Sequence, residues 1–309
     1  MSHSPMISVI IATYNSSHTL KYTIKSLLNQ TFQNFEAWII GDCCSDDTKE
    51  IIDSFNDPRL NWHNRAENSG SQPAPNNEGI KRSKGKYIAY LGHDDLWMPF
   101  HLEHLLTHAE TSQLDFTYAT TLIISPRGIE NIKGKKYIGV NEMDFVLPPS
   151  SWLHKSDLIN KIGLWDENYL KLATPPDLNL LSRILSSSAK VSPTKKFSVI
   201  KFSSIAWRSY KNKEILAHEI EKYWERIFKN SAELENELLN EIVFEYSKFN
   251  LNAMNLPSVK IFVMIKRKCV NFFRKHLTGI SIFKYIYFKR SQQKYQSSRK
   301  KTNIQRGLT

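Results

Sequence analysis

Residues 7–91 alternate between apolar runs and amphipathic segments, and this alternation constrains the fold more than any other feature of the sequence. The runs Ile7–Ala12, Phe35–Gly41 and Tyr87–Leu91 are rich in β-branched or aromatic residues, as expected of strands buried on both faces. A shorter run at Leu60–His63 adds a fourth strand. This order predicts an α/β fold, with a mostly parallel sheet and helices on both of its faces. The intervening helices are predicted at residues 20–28, 46–55 and 74–84.

The central apolar run, Tyr87–Leu91, leads directly into the sequence Gly92–Asp95, which ends in two adjacent carboxylates. Adjacent carboxylates repel each other, so at the end of a buried strand they need a cation or hydrogen-bond donors. Hard oxygen ligands of this kind suit Mg²⁺ or Mn²⁺, which commonly bind together with a phosphate. The alternative is that Asp95 caps a helix that starts near Pro99.

Polar side chains follow three of the predicted strands: Thr13 and Tyr14 the first, Asp42 the second, and Asp94 the central one. The carboxyl ends of parallel strands lie at one edge of a sheet, so these side chains should line one crevice. There, Asp42 would accept from a base or a ribose, Tyr14 would pack against a ring, and Asp94 would hold a metal between phosphates. Neither G-x-x-x-x-G-K-[ST] nor G-x-G-x-x-G follows the first strand, so a glycine-rich phosphate loop is not expected.

The positive charge of the chain is concentrated at its carboxyl-terminal end. The sequence has 42 Lys and Arg against 30 Asp and Glu, and 14 of the basic residues but none of the acidic ones lie in residues 256–309. The rest of the chain is close to neutral, with 28 basic and 30 acidic residues. A partner attracted by the excess charge is therefore a partner of this segment and not of the α/β core.

Cysteine usage and hydropathy favour a reducing, cytosolic setting. Cys43 and Cys44 are neighbours and Cys269 stands alone, so the sequence has neither a disulfide framework nor a zinc pattern. The apolar run Ile7–Ala12 is too short for a signal peptide. No run reaches the roughly 20 apolar residues that a transmembrane helix needs.

Four segments of the sequence carry a recognisable pattern: Ile7–Asn15, Gly41–Thr48, Asn77–Ile80 and Tyr87–Trp97. In this order and at this spacing they resemble the family 2 glycosyltransferases of the GT-A fold, and the likeness extends to near Tyr210. The resemblance implies transfer of a sugar from a nucleoside diphosphate, commonly a UDP-sugar, to an acceptor hydroxyl. It also implies inversion at the sugar and a divalent cation, Mn²⁺ or Mg²⁺, and it says little about which sugar is transferred.

By position, the resemblance implies nucleotide binding by six residues: Thr13, Tyr14, Asn15, Asp42, Asn77 and His93. It makes Asp94 the second carboxylate of the family's Asp-x-Asp metal motif, with Asp95 beside it and His154 as a further candidate ligand. Gly92 stands where the first carboxylate is common, so a ribose or metal-water contact is missing or is supplied by His93 or Asp95. The alternative for His154 is a satisfied histidine in the core.

A further match lies between residues 148 and 183. Pro148–His154 resembles the strand on the acceptor side, Ile162–Glu167 a Gly-x-[Trp/Phe]-Asp turn, and Pro176–Arg183 the start of the catalytic helix. The resemblance makes Asp177 the general base, which takes the acceptor's proton while the acceptor oxygen attacks the anomeric carbon. Pro176 occupies the place of a second acidic residue, and the alternative for Asp177 is a helix N-cap.

The carboxyl-terminal third of the chain changes character twice. Residues 214–249 mix charges with apolar residues at helical spacing, which predicts one or two helices. Residues 256–290 interleave Lys and Arg with aliphatic and aromatic residues, a pattern that suits lying on an anionic bilayer but not spanning it. The alternatives are a solvated helix face and nucleic-acid binding; since the core has no nucleic-acid motif, no such partner is expected.

We therefore expect four regions: a nucleotide-sugar-binding half at 1–110, an acceptor-binding half at 111–210, a helical extension at 211–255 and a basic membrane-associating tail at 256–309. The expected protein is a metal-dependent, inverting glycosyltransferase of surface or lipid-linked glycans, peripheral on the cytoplasmic face of the cell membrane. One alternative is a catalytically silent sugar-nucleotide-binding scaffold, which Gly92 makes conceivable. The other is a nucleotidyltransferase, which should carry a glycine-rich loop where this chain has Thr13–Asn15.

Overall fold

A computed structural model of the chain describes residues 4–134, 147–168, 174–207 and 212–255. Contacts between Cα atoms divide the chain into two compact units, one continuous up to Ser231 and the other beginning at Ala232. The residues that line the cleft of this protein all belong to the first unit. The basic segment predicted to associate with a membrane, residues 256–290, lies outside the described residues.

Nine strands and eight α-helices are present in the described part of the chain. The strands are β1 (Ile7–Thr13), β2 (Phe35–Gly41), β3 (Leu60–Asn64), β4 (Tyr87–Tyr90), β5 (Asp95–Trp97), β6 (Phe116–Ser125), β7 (Gly128–Lys133), β8 (Trp152–Lys155) and β9 (Val191–Phe202). The helices are α1 (Ser17–Leu28), α2 (Thr48–Ser54), α3 (Pro73–Arg82), α4 (His101–Thr111), α5 (Leu158–Ile162), α6 (Pro176–Leu185), α7 (Ser204–Trp207) and α8 (Lys213–Asn255).

The strands form one sheet in the order β3-β2-β1-β4-β8-β6-β9-β5, with β7 paired to β6. β1 is parallel to both β2 and β4, and β2 is parallel to β3, so the predicted parallel sheet is confirmed for these four strands. Beyond β4 the sheet is mixed, because β8 is antiparallel to both of its neighbours. β7 is antiparallel to β6, as the short turn between them requires, because a parallel pair needs a long crossover connection.

The unbroken apolar sequence of β1 reflects burial on both faces of the sheet. Val9 and Ile11 belong to a core that includes residues of α1 and α4, whereas Ile10 belongs to a core on the other face that includes Tyr90 and residues of α6. Each fully buried aliphatic side chain contributes roughly 1.5–3 kcal/mol, so burial in both cores holds β1 at the centre of the sheet.

The three strands at the centre of the parallel part end at the same edge. Thr13, the last residue of β1, pairs with Gly41, the last residue of β2, and Ile10 pairs with Tyr90, the last residue of β4. The backbone N–H of Asp42 donates to the carbonyl oxygen of Thr13 at 2.8 Å, which extends the alignment by one residue. The segments that follow these strands are therefore brought together.

The central run Tyr87–Trp97, which the sequence suggested as one strand leading into two acids, is divided in two by a loop. β4 ends at Tyr90, and β5 begins at Asp95, which pairs with Lys201 of β9. The next helix, α4, has Phe100 at its N-cap without a side-chain cap. Asp95 therefore does not cap it, and the alternative offered by the sequence is not observed.

The described part of the second unit is the continuation of α8 from Ala232 to Asn255. The backbone of Asn230 (φ −159°, ψ 85°) is non-helical and interrupts this helix just before the second unit begins. Within the described residues, no helix combines the length and the apolar character that crossing a bilayer requires.

Gly85 allows the turn before β4 to lie against the start of β1. Its N–H donates to Ser8 Oγ at 2.8 Å, and a Cβ atom at this position would lie 2.5 Å from the backbone nitrogen of Ser8. We expect Gly85→Ala to lower the free energy of unfolding, measured by urea denaturation, by about 1–3 kcal/mol because the backbone must move. The adjacent Lys84→Ala, at an exposed position, should change it by less than about 0.5 kcal/mol. Equal losses in the two variants would contradict this prediction.

Candidate active site

A cleft of about 420 Å³ opens at the edge where β1, β2 and β4 end. Its walls come from the segments after these strands, the loop before α3, and residues of α6 and β9. Three carboxylates from distant parts of the chain line it: Asp42, Asp94 and Asp177. Thr13, Tyr14 and His93 line the same cleft.

Asp42 follows β2 and is almost fully buried, with 4% of its surface exposed. Its carboxylate accepts hydrogen bonds from Ser69 N (3.0 Å), Ser69 Oγ (2.9 Å) and Gly70 N (3.2 Å), and it forms an ion pair with Arg65. These donors compensate the buried charge. Asp42 therefore fixes the loop at residues 68–72, part of which forms a wall of the cleft, in addition to the nucleotide contact predicted for it.

Thr13 and Tyr14 leave β1 on the cleft side. Thr13 is 2% exposed, and its Oγ1 has no hydrogen-bond partner among the described residues. An unpaired buried hydroxyl is energetically costly, so it offers a place for a ligand atom. Asn15 lies outside the lining of the cleft: its backbone is left-handed (φ 45°), and its Oδ1 accepts from Ser45 N at 2.8 Å. This hydrogen bond joins the loop that follows β1 to the loop that follows β2, and both loops contribute residues to the cleft lining.

The loop between β4 and β5 presents Gly92, His93 and Asp94 to the cleft. A hydrogen bond of 3.1 Å between His93 Nδ1 and the carbonyl oxygen of Ala12 ties this loop to β1. Asp94 is half-buried and contributes to the cleft lining, as the sequence suggested.

Asp95 is fully buried and is not part of the cleft lining. Its carboxylate accepts hydrogen bonds from Ser150 Oγ and, at 3.1 and 3.2 Å, from Lys201 Nζ. Asp94 lies in the turn before β5, whereas Asp95 is the first residue of that strand, and this separates the surroundings of the two carboxylates. In the structure Asp95 is a buried partner of Lys201, and its predicted role as a metal ligand beside Asp94 has no support from the cleft lining.

Lys201, on β9, lines the cleft and was not identified from the sequence. Burial alone would lower the pKa of Lys201, but the carboxylates of Asp95, Asp94 and Asp177 outweigh this effect and raise the pKa above its usual value. The ammonium group is therefore charged at physiological pH. The sequence did contain a signal for this residue, because Lys201 is a charge within the mostly apolar run 197–202. A charge in a buried strand needs a partner, so this lysine could have been predicted to pair with an acid.

Asp177 lies in the first turn of α6 and lines the cleft. The N-cap position belongs to Pro175, so the alternative that Asp177 is the N-cap is not observed. Burial raises the pKa of Asp177, while a hydrogen bond from Leu178 N (3.0 Å) and the charge of Lys201 partly offset the rise. A carboxylate with a raised pKa is a stronger proton acceptor, which suits a general base near neutral pH.

His154, the further candidate metal ligand, lies in β8 and is 1% exposed. Its Nε2 is 3.1 Å from the hydroxyl of Tyr90, and its Nδ1 is 2.8 Å from the carbonyl oxygen of Lys155. Burial lowers the pKa of His154 to about 4, so the ring is neutral. Both ring nitrogens are occupied, which agrees with the alternative of a satisfied core histidine, and the metal-ligand role stays a prediction without support from these contacts.

Asn77, predicted to bind the nucleotide, is buried in α3 and lies outside the cleft lining. Its Nδ2 donates to the carbonyl oxygen of Trp165 and its Oδ1 accepts from Trp165 N, both at 2.9 Å. Asn77 therefore anchors the turn that contains Trp165, and these contacts give no support to the nucleotide-binding prediction. The neighbouring Asn76 lines the cleft instead.

The carboxylates of the cleft determine which kind of metal site it can offer. In the described residues, no group of three His, Cys, Asp or Glu side chains is arranged to hold a metal ion. Mg²⁺ commonly uses one or two carboxylates and takes its other ligands from water and substrate phosphates, and Mn²⁺ favours the same oxygen ligands. Asp94 fits this mode, so the site suits a cation that binds together with a phosphate-bearing substrate.

The sequence model of glycosyl transferase family 2 matches residues 8–162, half of the chain. The chain belongs to glycosyl transferase family 2. The match confirms the resemblance drawn from the motifs. It covers β1 to α5, and so contains Asp42 and Asp94, whereas Asp177 and Lys201 lie beyond it.

Curated relatives of this family 2 protein are found in several bacteria. An uncharacterized glycosyltransferase of Rickettsia typhi is 31% identical over 54% of this chain and 55% of its own length. The UDP-Glc:alpha-D-GlcNAc-diphosphoundecaprenol beta-1,3-glucosyltransferase WfaP of Escherichia coli is 35% identical over 38% of this chain and 47% of its own. The putative teichuronic acid biosynthesis glycosyltransferase TuaG of Bacillus subtilis is 30% identical over 40% and 50%. The chain thus spans about half the length of the curated relatives it matches.

Solved structures of S. aureus TarS share the fold of this family 2 protein. TarS 1–349 in complex with UDP matches with a TM-score of 0.56 at 21% identity, over 81% of this chain and 75% of that chain. The complex with UDP-GlcNAc gives the same TM-score and covers 76% of TarS. The likeness confirms the predicted GT-A fold, with its α/β sheet, surrounding helices and carboxyl-terminal helical extension.

Removing the carboxylate of Asp42 should loosen the loop at residues 68–72. Asp42→Ala leaves Arg65 without this partner and deletes the acceptor of the Ser69 and Gly70 amides. We expect a loss of about 1–3 kcal/mol in unfolding free energy and faster amide hydrogen exchange in the loop. Asp47→Ala, at an exposed position nearby, is the control and should leave exchange in this loop unchanged. Exchange that stays slow in Asp42→Ala would show that the carboxylate does not hold the loop.

Proposed function

We propose that this protein transfers a sugar, with inversion, from a UDP-sugar to an acceptor hydroxyl of a surface or lipid-linked glycan. The observation that carries the proposal is the placement of Asp42, Asp94 and Asp177 around one cleft. Family 2 membership supports the reaction class, and the TarS complexes with UDP and UDP-GlcNAc support the choice of nucleotide.

The nucleoside of the donor would occupy the cleft between the end of β1 and the loop at residues 68–72. Thr13 offers its buried hydroxyl there, and Tyr14 offers a ring at the same wall. Asp42 keeps the opposite loop in place. On this proposal the donor half of the protein is residues 1–110, and the acceptor half, which supplies Asp177, is residues 111–210.

The diphosphate of the donor would lie beside Asp94. A bound Mn²⁺ or Mg²⁺ would supply Lewis-acid stabilisation of the charge that develops on the departing diphosphate. Asp94 is the residue that would hold this ion, with His93 next to it in the same loop. The half-buried position of Asp94 favours this role, because a charge partly removed from water is less screened.

Asp177 would act as the general base of a single displacement. The acceptor oxygen forms a bond to the anomeric carbon, on the face opposite the diphosphate, while its proton passes to the Asp177 carboxylate. The bond between the anomeric carbon and the diphosphate oxygen breaks, and its electron pair leaves with the nucleoside diphosphate. The raised pKa of Asp177 means that activity should be lost, as pH falls, at a pH above the ordinary Asp value of about 3.9.

The acceptor is proposed from the names of two relatives. WfaP is named for an acceptor linked to diphosphoundecaprenol, and TuaG for teichuronic acid biosynthesis. We propose an acceptor of the same broad class, a lipid-linked or polysaccharide glycan. Such an acceptor agrees with the basic, aromatic-rich segment at 256–290, which would attach the protein to the anionic cytoplasmic face of the membrane.

Asp177→Asn should reduce turnover of the best UDP-sugar in a donor panel by about 10²–10⁴-fold, because the acceptor proton loses its base. Released UDP measures turnover, and calorimetry should show that UDP binds as tightly as to the wild type. Asp166→Asn is the matched control, since Asp166 lies outside the cleft lining and should retain activity. Full turnover by Asp177→Asn would remove Asp177 as the base. A wild type that binds UDP-sugars and turns none of them over would support the scaffold alternative.

The full chain should float with anionic vesicles at physiological salt. Replacing Lys266, Arg267 and Lys268 by Gln should weaken partitioning about 100-fold, since each cation near anionic lipid contributes roughly 1 kcal/mol. A matched control replaces three exposed lysines of the first unit by Gln: Lys49, Lys81 and Lys84. Equal flotation of the two triple variants, or no flotation of the wild type, would contradict membrane attachment through residues 256–290.

A further inference from the structure

The cleft contains a cation that the reaction described above does not use. We propose that Lys201 is a diphosphate-binding residue, whose ammonium group donates to a phosphate oxygen of the donor and remains with the leaving group as the bond to the sugar breaks. This inference rests on the proposed function and adds a named group to its donor site. Its consequence is that the protein binds a diphosphate even without a divalent cation.

The first support is the position of the ammonium group. Lys201 lines the cleft together with Asp94 and Asp177, and 32% of its side chain is exposed. Its Nζ lies 3.1 and 3.2 Å from the oxygens of Asp95, which is fully buried. An ammonium group carries three N–H donors, so a single buried carboxylate holds it in place without using all of its capacity.

The second support is the glycine at position 92. A Cβ atom at Gly92 would lie 2.6 Å from Asp95 Oδ2 and 3.3 Å from Ser150 Oγ. The absence of a side chain leaves room for the Asp95 carboxylate, which Ser150 also holds by donating to it while accepting from Gly92 N at 3.0 Å. Gly92 stands where a carboxylate is common in the family, and its lack of a side chain makes room for Asp95, the acid that positions Lys201.

The third support is the balance of charge in the cleft. Arg65 compensates Asp42, and Lys201 compensates Asp95, which leaves the carboxylates of Asp94 and Asp177. These two groups repel a diphosphate, so its oxygens need a positive charge beside them, and the ammonium of Lys201 supplies one within the cleft lining. The ammonium of Lys201 interacts electrostatically with both of these carboxylates. A lysine held in this way acts as a point charge for phosphate, and charge-assisted hydrogen bonds to phosphate are strong.

The rival explanation is that Lys201 only neutralises Asp95 and stabilises the fold. Lys201→Met would leave Asp95 as an unpaired buried charge, and the protein could lose stability for that reason alone. The double variant Asp95→Asn with Lys201→Met removes both charges, and Asp95→Asn alone keeps the ammonium. Lys196→Met is the matched control, since it removes a lysine of the same strand that is not part of the cleft lining.

The experiment measures binding of UDP and of inorganic pyrophosphate to the full chain by calorimetry, in EDTA and in Mn²⁺. Thermal unfolding of each variant identifies the fraction that is folded. We expect wild type and Lys196→Met to bind both probes equally in EDTA. Asp95→Asn keeps the ammonium but loses the carboxylate that positions it, so it should bind more weakly than wild type and more tightly than the double variant. Lys201→Met and the double variant should bind about 10- to 100-fold more weakly in EDTA, because a hydrogen bond to a charged group is lost. Mn²⁺ should reduce this difference.

Two outcomes would overturn the inference, and they are distinguishable. If folded double variant and Asp95→Asn bind pyrophosphate equally in EDTA while UDP binds to the wild type in Mn²⁺, Lys201 has only a structural role and the proposed function stands. If the wild type binds neither probe in Mn²⁺, the donor site itself is wrong and the proposed function fails with it.

Discussion

The parallel alignment of β1 with both β2 and β4 is the constraint on which the rest of the structure depends. Thr13 pairs with Gly41, so β1 and β2 end together, and β4 ends at the same edge with Tyr90 beside Ile10, three residues before the end of β1. Several polar side chains of the segments that follow, among them Tyr14, Asp42 and Asp94, therefore line one cleft. Burial of β1 in two cores keeps this register fixed.

The acids at this edge divide into two kinds, and the division explains how the cleft can be both stable and reactive. Asp42 and Asp95 are buried and are compensated by Arg65 and Lys201, and each holds a neighbouring segment in place. Asp42 also lines the cleft, while Asp94 and Asp177 line it from the loop between β4 and β5 and from α6. Buried, hydrogen-bonded acids keep the geometry, while the half-buried acids Asp94 and Asp177 remain available to a substrate or a cation.

Much of the fold followed from local patterns in the sequence. β2 begins and ends where its apolar run does, and the helices at residues 17–28 and 73–82 lie within a few residues of their predicted positions. Patterns failed where contacts between distant segments decide the outcome. His154 and Asn77 have the side chains of ligands, yet their polar atoms are occupied by Tyr90 and Trp165, whose proximity no local pattern encodes.

The sequence by itself determined the family, the order of strands and helices in the amino-terminal half, and the acids expected at the strand ends. These features depend on periodicity and on neighbours within a few residues, which the chain carries locally. Only the tertiary structure decided which of the two adjacent acids faces the cleft and which partner the other one finds. Lys201 lies 106 residues from Asp95, and they meet because β5 and β9 pair in one particular register of the mixed sheet.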